Sequence, residues 1–288
     1  MMNGCERLRE LLVRPGFLFG PGVYDCLSAR LAEQSGCELI FSSGFGIAAA
    51  TLGMPDIGLI SGTEMLQMAG NMAATVRIPL IADMDTGYGN PLNVIRTVTT
   101  ARRHGIAGII LEDQEWPKKC GHMSGKRIIS REEHVQKIRA AVHAREEAGD
   151  IVIVARTDAR AVAGLDEAIR RGHSYRAAGA DMIFIEAPQS EAELRTITRE
   201  LAGMPLMVNL VEGGHTPTLP LSELAAMGFK LGVTPLSALF AATAAMQKCF
   251  RELREQGVVT AHAMDFAAFK KVVATDHFHG LEQQFTAE

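Results

Sequence analysis

The sequence is organised as eight short apolar runs, each followed by a loop and then by a stretch with helical spacing. The apolar runs cover residues 17–20, 39–42, 79–83, 108–112, 151–156, 182–186, 205–209 and 230–234. Helical spacing of apolar residues is found at 63–75, 91–104, 131–148, 165–178, 190–201 and 221–227. This alternation predicts parallel strands joined by helical crossovers.

Eight such units favour a closed (β/α)8 barrel over an open, doubly wound sheet. Runs 151–154 and 182–185 are apolar throughout, so both faces of their strands must be covered. A length of 288 residues would also suit two domains, but no Pro/Gly/Ser-rich linker or internal repeat divides the chain. We therefore predict a TIM-type α/β barrel over residues 1–288. A C-terminal helical extension from about residue 237 should add helices at 237–256 and 261–284.

Composition argues against several classes of partner and location. A net charge of -4 leaves no excess of positive charge for holding a nucleic acid backbone. No segment approaches the ~18 uninterrupted apolar residues of a membrane span, and residues 1–16 have no apolar stretch of signal-peptide length. The five cysteines are widely scattered, which fits a reducing compartment better than a disulfide framework. We expect a cytoplasmic protein that acts on a small molecule.

Polar residues follow the predicted strands, at the end of a barrel where active sites lie. Acidic groups come from several strands there, and clustered carboxylates repel one another unless a cation holds them. Oxygen ligands favour Mg²⁺ or Mn²⁺ over zinc, and the spacing of Asp83 and Asp85 lets both carboxylates reach one ion from an extended strand end. The alternative interpretation is that these two aspartates cap the next helix or stabilise the turn at residues 86–89.

The loop after the fourth strand carries Cys120 beside Lys118, Lys119 and His122, with glycines at 121 and 125 that permit movement. Neighbouring cations lower the pKa of a thiol, so we predict that Cys120 exchanges a proton near neutral pH. The alternative is a solvated basic loop with an incidental thiol.

Several motifs together resemble those of the isocitrate lyase and phosphoenolpyruvate mutase superfamily. They are Ser43-Gly44, Gly53-Met54-Pro55-Asp56, residues 83–90, Glu112-Asp113-Gln114, residues 118–122, Arg156-Thr157-Asp158-Ala159, Glu186-Ala187-Pro188, Asn209 and Pro235-Leu236-Ser237-Ala238. The Lys-Lys-Cys-Gly-His loop is specific for the carbon–carbon lyase branch. The resemblance implies a Mg²⁺-dependent barrel and a homo-oligomer, either a tetramer or a dimer of dimers, that exchanges its last helices between subunits.

The resemblance also implies roles for individual residues. Asp83, Asp85 and Glu112 would hold Mg²⁺ directly or through water. Cys120 would be the catalytic acid, on a loop that closes over the substrate. The base is open, with Asp56 and a water held by Glu112 as candidates. Residues expected to surround a dicarboxylate substrate are Ser43, Gly44, Phe45, Gly121, His122, Arg156, Glu186 and Asn209.

Three departures concern the substrate. Methylisocitrate lyases carry an arginine where this chain has Leu239-Phe240, a second arginine is replaced around Ala267, and Phe45 stands where they have glycine. A third substrate carboxylate would then be buried unpaired, which is costly. The pattern is more similar to lyases for 2-alkylmalates, such as 2,3-dimethylmalate, which yield pyruvate and a monocarboxylic acid. Phe45 and Phe240 are expected to line the distal part of the pocket.

Other activities stay open on the same scaffold. Oxaloacetate decarboxylation or hydrolysis, methylisocitrate cleavage and carboxyphosphonoenolpyruvate mutase chemistry are the enzymatic alternatives. A catalytically silent barrel that binds a metabolite or serves assembly is the alternative of a different class, although neither the acidic triad nor the loop has a gap.

Overall fold

A computed structural model describes residues 3–259 and 264–286 of the chain. In these residues eight parallel strands close into a barrel in sequence order, from β1 beside β2 round to β8 beside β1. The strands are β1 (Leu18–Val23), β2 (Ile40–Ser42), β3 (Leu80–Asp83), β4 (Gly108–Glu112), β5 (Val152–Thr157), β6 (Met182–Ile185), β7 (Leu206–Asn209) and β8 (Leu231–Thr234). The predicted TIM-type barrel is confirmed.

Helices surround the strands and fill the crossovers. They are α1 (Gly4–Val13), α2 (Cys26–Gln34), α3 (Gly44–Leu52), α4 (Gly62–Thr75), α5 (Pro91–Arg103), α6 (Arg131–Ala148), α7 (Ala159–Ala163), α8 (Leu165–Ala177), α9 (Glu191–Glu200) and α10 (Leu221–Met227). Two helices have side-chain N-caps: Asn90 accepts hydrogen bonds from the backbone of Leu92 and Asn93, and Ser130 accepts one from Glu133. Both caps fix where a loop on the active-site side of the barrel ends.

The sequence-based expectations left out four helices, α1, α2, α3 and α7. The most consequential is α3, because Ser43 and Gly44 begin this helix rather than lie in an open loop. The Ser43 side chain caps α3 by accepting a hydrogen bond from the Gly46 backbone at 3.3 Å. A Gly-Phe-Gly start hides this helix from a search for apolar periodicity, since two of its first three residues carry no side chain to form a pattern.

Two layers of apolar side chains hold the barrel. The inner layer includes Phe41, Ile110, Phe184, Met207 and Val233, all buried. The outer layer packs the opposite strand faces against the helices. Because neighbouring strands are in register at Glu112 with Arg156, the polar strand ends are brought to one mouth of the barrel.

The chain from Leu239 onward forms a second compact unit, while the barrel unit extends to Ala238. The second unit contains most of α11 (Ser237–Gln256), together with α12 (Phe266–Val272) and α13 (Thr275–Phe285). Of the predicted helix at 261–284, residues 261–263 lie outside the described residues, and the rest forms two helices instead of one. Phe240 belongs to this unit and is 41% exposed. In the described part of the chain, no helix has both the length and the apolar character to span a membrane.

Candidate active site

A cavity of about 40 Å³ lies where the strands end. Its lining comprises Phe41, Ser43, Phe45, Asp56, Asp83, Glu112, Lys118, Lys119, Cys120, Gly121, His122, Arg156, Phe184, Glu186, Met207, Asn209, Val211, Val233, Pro235 and Leu236. The predicted site residues therefore line one cavity, apart from Gly44 and Asp85, which adjoin it. A Cβ atom on Gly44 would lie 3.1 Å from Asp83 Oδ2 and 3.5 Å from Asp85 Oδ1, so these two acids pack against the start of α3.

Asp83 and Asp85 are brought together by a turn, and not by an extended strand as the sequence interpretation assumed. Strand β3 ends at Asp83, whose Oδ1 accepts a hydrogen bond from the Asp85 backbone at 3.1 Å. Asp85 has a φ of 48°, in the left-handed region. Helix α5 is capped by Asn90, so the interpretation of the two aspartates as helix caps is wrong. The hydrogen bond between Asp83 and Asp85 lies before residues 86–89, and both carboxylates are left next to the cavity.

Lys118 bridges two of the acids. Its Nζ atom lies 2.5 Å from Asp56 Oδ1 and 2.7 Å from Asp85 Oδ1, and all three side chains are buried. The sequence interpretation did not place Lys118 in the site, although its position in the Lys-Lys-Cys-Gly-His motif was a signal. The ion pairs anchor the loop to the barrel mouth and partly offset the charge of the acidic cluster.

Burial disfavours the ionised form of two of the acids, Asp85 and Glu112. Burial raises the pKa of Asp85 to about 6, against the lowering effect of Lys118. Burial also raises the pKa of Glu112 well above its ordinary value, although the charge of Arg156 opposes this. Glu112 Oε1 has no hydrogen-bond partner among the described residues. Unpartnered buried carboxylate oxygens of this kind suit a hard divalent cation. In the described residues, however, no three His, Cys, Asp or Glu side chains already form a metal cluster.

Arg156 is a buried cation that also lines the cavity. Asp158 accepts hydrogen bonds from its Nε and Nη2 at 2.9 and 3.2 Å, and its guanidinium carbon lies 5.3 Å from the centre of the Phe184 ring. Glu112 Oε2 and Glu186 Oε2 lie farther away, at 3.3 and 3.5 Å from Nε and Nη1. Asp158 was not predicted as a site residue. It fixes one edge of the guanidinium and leaves Nη1 with the weakest protein contact.

The loop backbone packs tightly against Arg156 and Glu186. A Cβ atom on Gly121 would lie 2.5 Å from Arg156 Nη2 and 2.6 Å from Glu186 Cδ, so glycine is required there for the loop to approach. Cys120, the preceding residue, donates its backbone N–H to Asp56 O at 3.2 Å. The expected lowering of the Cys120 pKa is wrong, because burial raises it to about 11. The thiol is therefore protonated at neutral pH.

His122, Glu186 and Asn209 form a connected group. His122 Nδ1 accepts a hydrogen bond from the His215 backbone at 3.2 Å, which directs the proton of a neutral ring to Nε2. Nε2 lies 3.1 Å from Glu186 Oε1, and Asn209 Nδ2 donates to the same oxygen at 3.3 Å. Asn209 Oδ1 is buried without a hydrogen-bond partner in the described structure, so it can accept one from a ligand.

Comparison with known proteins gives consistent results. The phosphoenolpyruvate phosphomutase family model matches residues 8–254. The chain is 41% identical to 2,3-dimethylmalate lyase of Eubacterium barkeri, over 99% of both chains. It is 43% identical to 2-methylisocitrate lyase of Aeropyrum pernix, over 87% of this chain and 80% of that protein.

Solved structures extend the comparison. A 2,3-dimethylmalate lyase, described as a PEP mutase/isocitrate lyase superfamily member, superposes with a TM-score of 0.95 at 37% identity, covering 99% of this chain and 96% of the other. An oxaloacetate acetylhydrolase complex with 3,3-difluorooxalacetate has a TM-score of 0.94 at 37% identity, covering 99% and 98%. A phosphonopyruvate hydrolase complex with oxalate and Mg²⁺ has a TM-score of 0.89 at 30% identity, covering 99% of both.

These relatives are named lyases, hydrolases and mutases, and the curated ones reported above are both lyases. The chain is an enzyme that belongs to the phosphoenolpyruvate phosphomutase family, within the PEP mutase/isocitrate lyase superfamily.

Proposed function

We propose that this enzyme is a Mg²⁺-dependent carbon–carbon lyase that cleaves a 2-alkylmalate, with 2,3-dimethylmalate as the preferred type, to pyruvate and a monocarboxylic acid. The observation that carries the proposal is the joint presence of a protonated thiol, Cys120, and a buried arginine, Arg156, in one cavity with an apolar wall. The similarity to 2,3-dimethylmalate lyase supports this choice of substrate.

Arg156 and the cluster of carboxylates have different proposed tasks in the reaction. Arg156 Nη1 has the weakest protein contact of the guanidinium nitrogens, which leaves it for a substrate carboxylate. Mg²⁺ held by Asp83, Asp85 and Glu112, directly or through water, would acidify the substrate hydroxyl and stabilise the developing 2-oxo acid. Mn²⁺ would suit the same oxygen donors. Asp56 is our proposed acceptor of the hydroxyl proton, in a position fixed by Lys118.

Cys120 completes the proposed reaction. Breaking the C2–C3 bond leaves the electron pair on C3, as an enolate-like carbanion conjugated with its carboxylate. The Cys120 thiol donates its proton to that carbon, and the thiolate recovers a proton from solvent when product leaves. With a pKa of about 11, the Cys120 thiol is protonated before the C2–C3 bond is cleaved. Excluding water from the small cavity favours this transfer over side reactions.

The apolar wall is our basis for the alkyl substituents. It includes Phe41, Phe45, Val211, Pro235 and Leu236, which line the same cavity as the charged groups. Within the described lining, Arg156 is the one arginine, so a tricarboxylate would place a carboxylate without a guanidinium partner. Phe45 adds apolar bulk to this wall, which favours methyl groups over a third carboxylate.

We also propose the assembly implied by the family resemblance, a cytoplasmic homo-oligomer, preferably a tetramer, with exchanged C-terminal helices. Phe250 and Phe278, on α11 and α13, are 65% and 57% exposed. Exposed phenylalanines on several helices of one unit support contact with another copy of the chain.

The test is a pyruvate-coupled screen of 2-hydroxy and 2-oxo diacids with Mg²⁺, including 2,3-dimethylmalate, 2-methylisocitrate and oxaloacetate. We expect pyruvate from a 2-alkylmalate. Cys120→Ser should lower kcat by roughly 100-fold or more, because general acid catalysis contributes that much, while Cys26→Ser serves as the matched control. A complete panel of malates without pyruvate would contradict the proposal.

Oxaloacetate hydrolysis is the second candidate, favoured by the TM-score of 0.94 with oxaloacetate acetylhydrolase. Hydrolysis of oxaloacetate yields oxalate and acetate, whereas decarboxylation yields pyruvate and carbon dioxide. Measuring oxalate in the same screen separates these outcomes. Oxalate release with no cleavage of any malate would select the hydrolase.

A further inference from the structure

We propose that Lys126 is a positioning residue that holds Cys120 over the cavity, an inference that rests on the proposed role of Cys120 as proton donor. Lys126 lies at the far end of the loop that carries the thiol, and its side chain is 2% exposed. Its ammonium donates hydrogen bonds to the backbone oxygen of Gly121 and to Asp158 Oδ1, the latter at 2.7 Å. These two acceptors belong to different parts of the site.

The first acceptor, the Gly121 carbonyl oxygen, lies next to the residue that carries the thiol. Gly121 follows Cys120 directly, and its Cα packs against Arg156 and Glu186 so closely that no Cβ would fit. A hydrogen bond to the Gly121 carbonyl therefore restrains the peptide next to the reacting sulfur. Proton transfer depends on such placement at the level of about 1 Å.

The second acceptor is part of the barrel. Asp158 follows β5, is completely buried, and also accepts hydrogen bonds from Nε and Nη2 of Arg156. Burial by itself would raise the pKa of Asp158, but the charges of Arg156 and Lys126 outweigh it and lower the pKa to about 2. Lys126 thus connects the loop to the same carboxylate that orients the proposed substrate anchor.

Burying this cation is favourable only while both acceptors are in place. A buried ammonium without partners has a high desolvation cost. Loss of the hydrogen bond to Gly121 would therefore leave the Lys126 charge either exposed to solvent or buried with one acceptor fewer. The other loop cations have different contacts, since Lys118 pairs with Asp56 and Asp85. Arg127, the next residue, is 72% exposed and pairs with Glu115 at 2.6 Å. It offers a matched control of the same charge in the same loop.

The test measures the accessibility of Cys120 as well as turnover. Lys126→Met and Arg127→Met are alkylated with iodoacetamide, and each cysteine is followed by peptide mass spectrometry. We expect Cys120 in Lys126→Met to react roughly 10-fold faster than in the wild type, because a charge-assisted hydrogen bond restrains the loop by about that factor. Cys37, half-buried in the outer core, should react at an unchanged rate in every variant.

Turnover gives a second readout. We expect Lys126→Met to lower kcat more than it changes KM, Lys126→Arg to recover part of kcat, and Arg127→Met to match the wild type. Equal Cys120 alkylation in Lys126→Met and Arg127→Met would overturn the proposal, as would a parallel increase at Cys37, which indicates general loosening. If Lys126→Met does not fold, Lys126→Gln is used for the same comparison.

The two readouts separate this proposal from the proposed function. Failure of every malate to yield pyruvate would contradict the lyase assignment, yet the alkylation rates would still show whether Lys126 restrains the loop. Conversely, a lyase with unchanged Cys120 reactivity in Lys126→Met would retain the function and refute the positioning role.

Discussion

Glu112 and Asp113 are adjacent acids at the end of β4, both fully buried, and their surroundings are opposite. Asp113 accepts hydrogen bonds from Thr157 Oγ1 at 2.7 Å, the Asp158 backbone at 2.9 Å, Arg171 Nη1 at 2.8 Å and the Tyr175 hydroxyl at 2.7 Å. Glu112 faces the cavity, with one oxygen lacking any hydrogen-bond partner in the described structure and a pKa raised by burial.

The difference separates an acid fully engaged in structural contacts from one that is free to accept a contact from a ligand. Four donors leave Asp113 no capacity to bind a ligand strongly, and the network fixes the Thr157–Asp158 backbone beside Arg156. Glu112 retains an oxygen that no protein group uses, and burial raises its pKa. A ligand site requires such a free acceptor. Substitutions at the two positions should therefore affect different properties.

Asp113→Ala should have the largest effect, on stability. The substitution leaves buried Arg171 with Glu167 as its remaining ion-pair partner and removes an acceptor from three other donors. Breaking a buried ion pair in this way costs roughly 3–5 kcal/mol, which should appear in the free energy of unfolding by urea denaturation. A loss below ~1 kcal/mol would contradict the structural role of Asp113.

Glu112→Gln should instead affect activity. We expect kcat to fall by roughly 1,000-fold, equivalent to about 4 kcal/mol, because the amide cannot supply a carboxylate to the proposed Mg²⁺. The free energy of unfolding without metal should stay within ~1 kcal/mol of the wild type or rise, since a buried carboxylate becomes neutral. Steady-state kinetics and urea denaturation of the same preparation check both. If Glu112→Gln and Asp113→Ala lowered the free energy of unfolding by similar amounts, the proposed difference between the two acids would be wrong.

The contrast between these two acids also shows how far sequence reasoning reaches. Strand ends can be counted in a barrel, so Asp83, Glu112, Arg156, Glu186 and Asn209 were all predicted to meet at one mouth, and they do. What separates Glu112 from Asp113 is the identity of their partners. Those partners come from β5 and α8, and no local pattern specifies such contacts.

The loop shows the same limit. The sequence placed Cys120 among cations and predicted a lowered pKa, but Lys118 directs its charge at Asp56 and Asp85, and burial dominates at the thiol. Lys126 reaches Asp158, 32 residues away, which the sequence spacing does not reveal. The motifs and the family resemblance therefore predicted which residues line the cavity, whereas the protonation state of Cys120 depends on tertiary contacts.

Asp85 should produce a pH effect on stability. Its pKa in the folded protein is about 6 against an ordinary value of 3.8, so the folded state binds more protons between these values. The free energy of unfolding should fall as pH rises from about 4 to about 6, by up to roughly 3 kcal/mol for this group.

The measurement compares wild type with Asp85→Asn in EDTA, and the pH-dependent difference between them isolates Asp85. If Asp85 is a Mg²⁺ ligand as proposed, saturating Mg²⁺ should weaken or reverse the effect, because a ligand carboxylate must be deprotonated to bind. A difference that does not change with pH would place the Asp85 pKa near its ordinary value. Burial would then not distinguish Asp85 from a fully hydrogen-bonded acid such as Asp113.

Tyr175→Phe should have the smallest effect and tests how the stabilisation of Asp113 is divided. The variant keeps the buried ring, which contacts His134 at a centroid distance of 4.6 Å, and removes one donor to Asp113 Oδ2. Arg171 and Thr157 still donate to the same oxygen, so the carboxylate remains paired. We expect a loss of about 1–2 kcal/mol in urea denaturation and kcat within twofold of the wild type. Thr100→Val, at a half-buried position of α5, controls for removal of a hydroxyl elsewhere. A stability loss as large as that of Asp113→Ala would mean that the hydroxyl, and not the Arg171 ion pair, dominates the network.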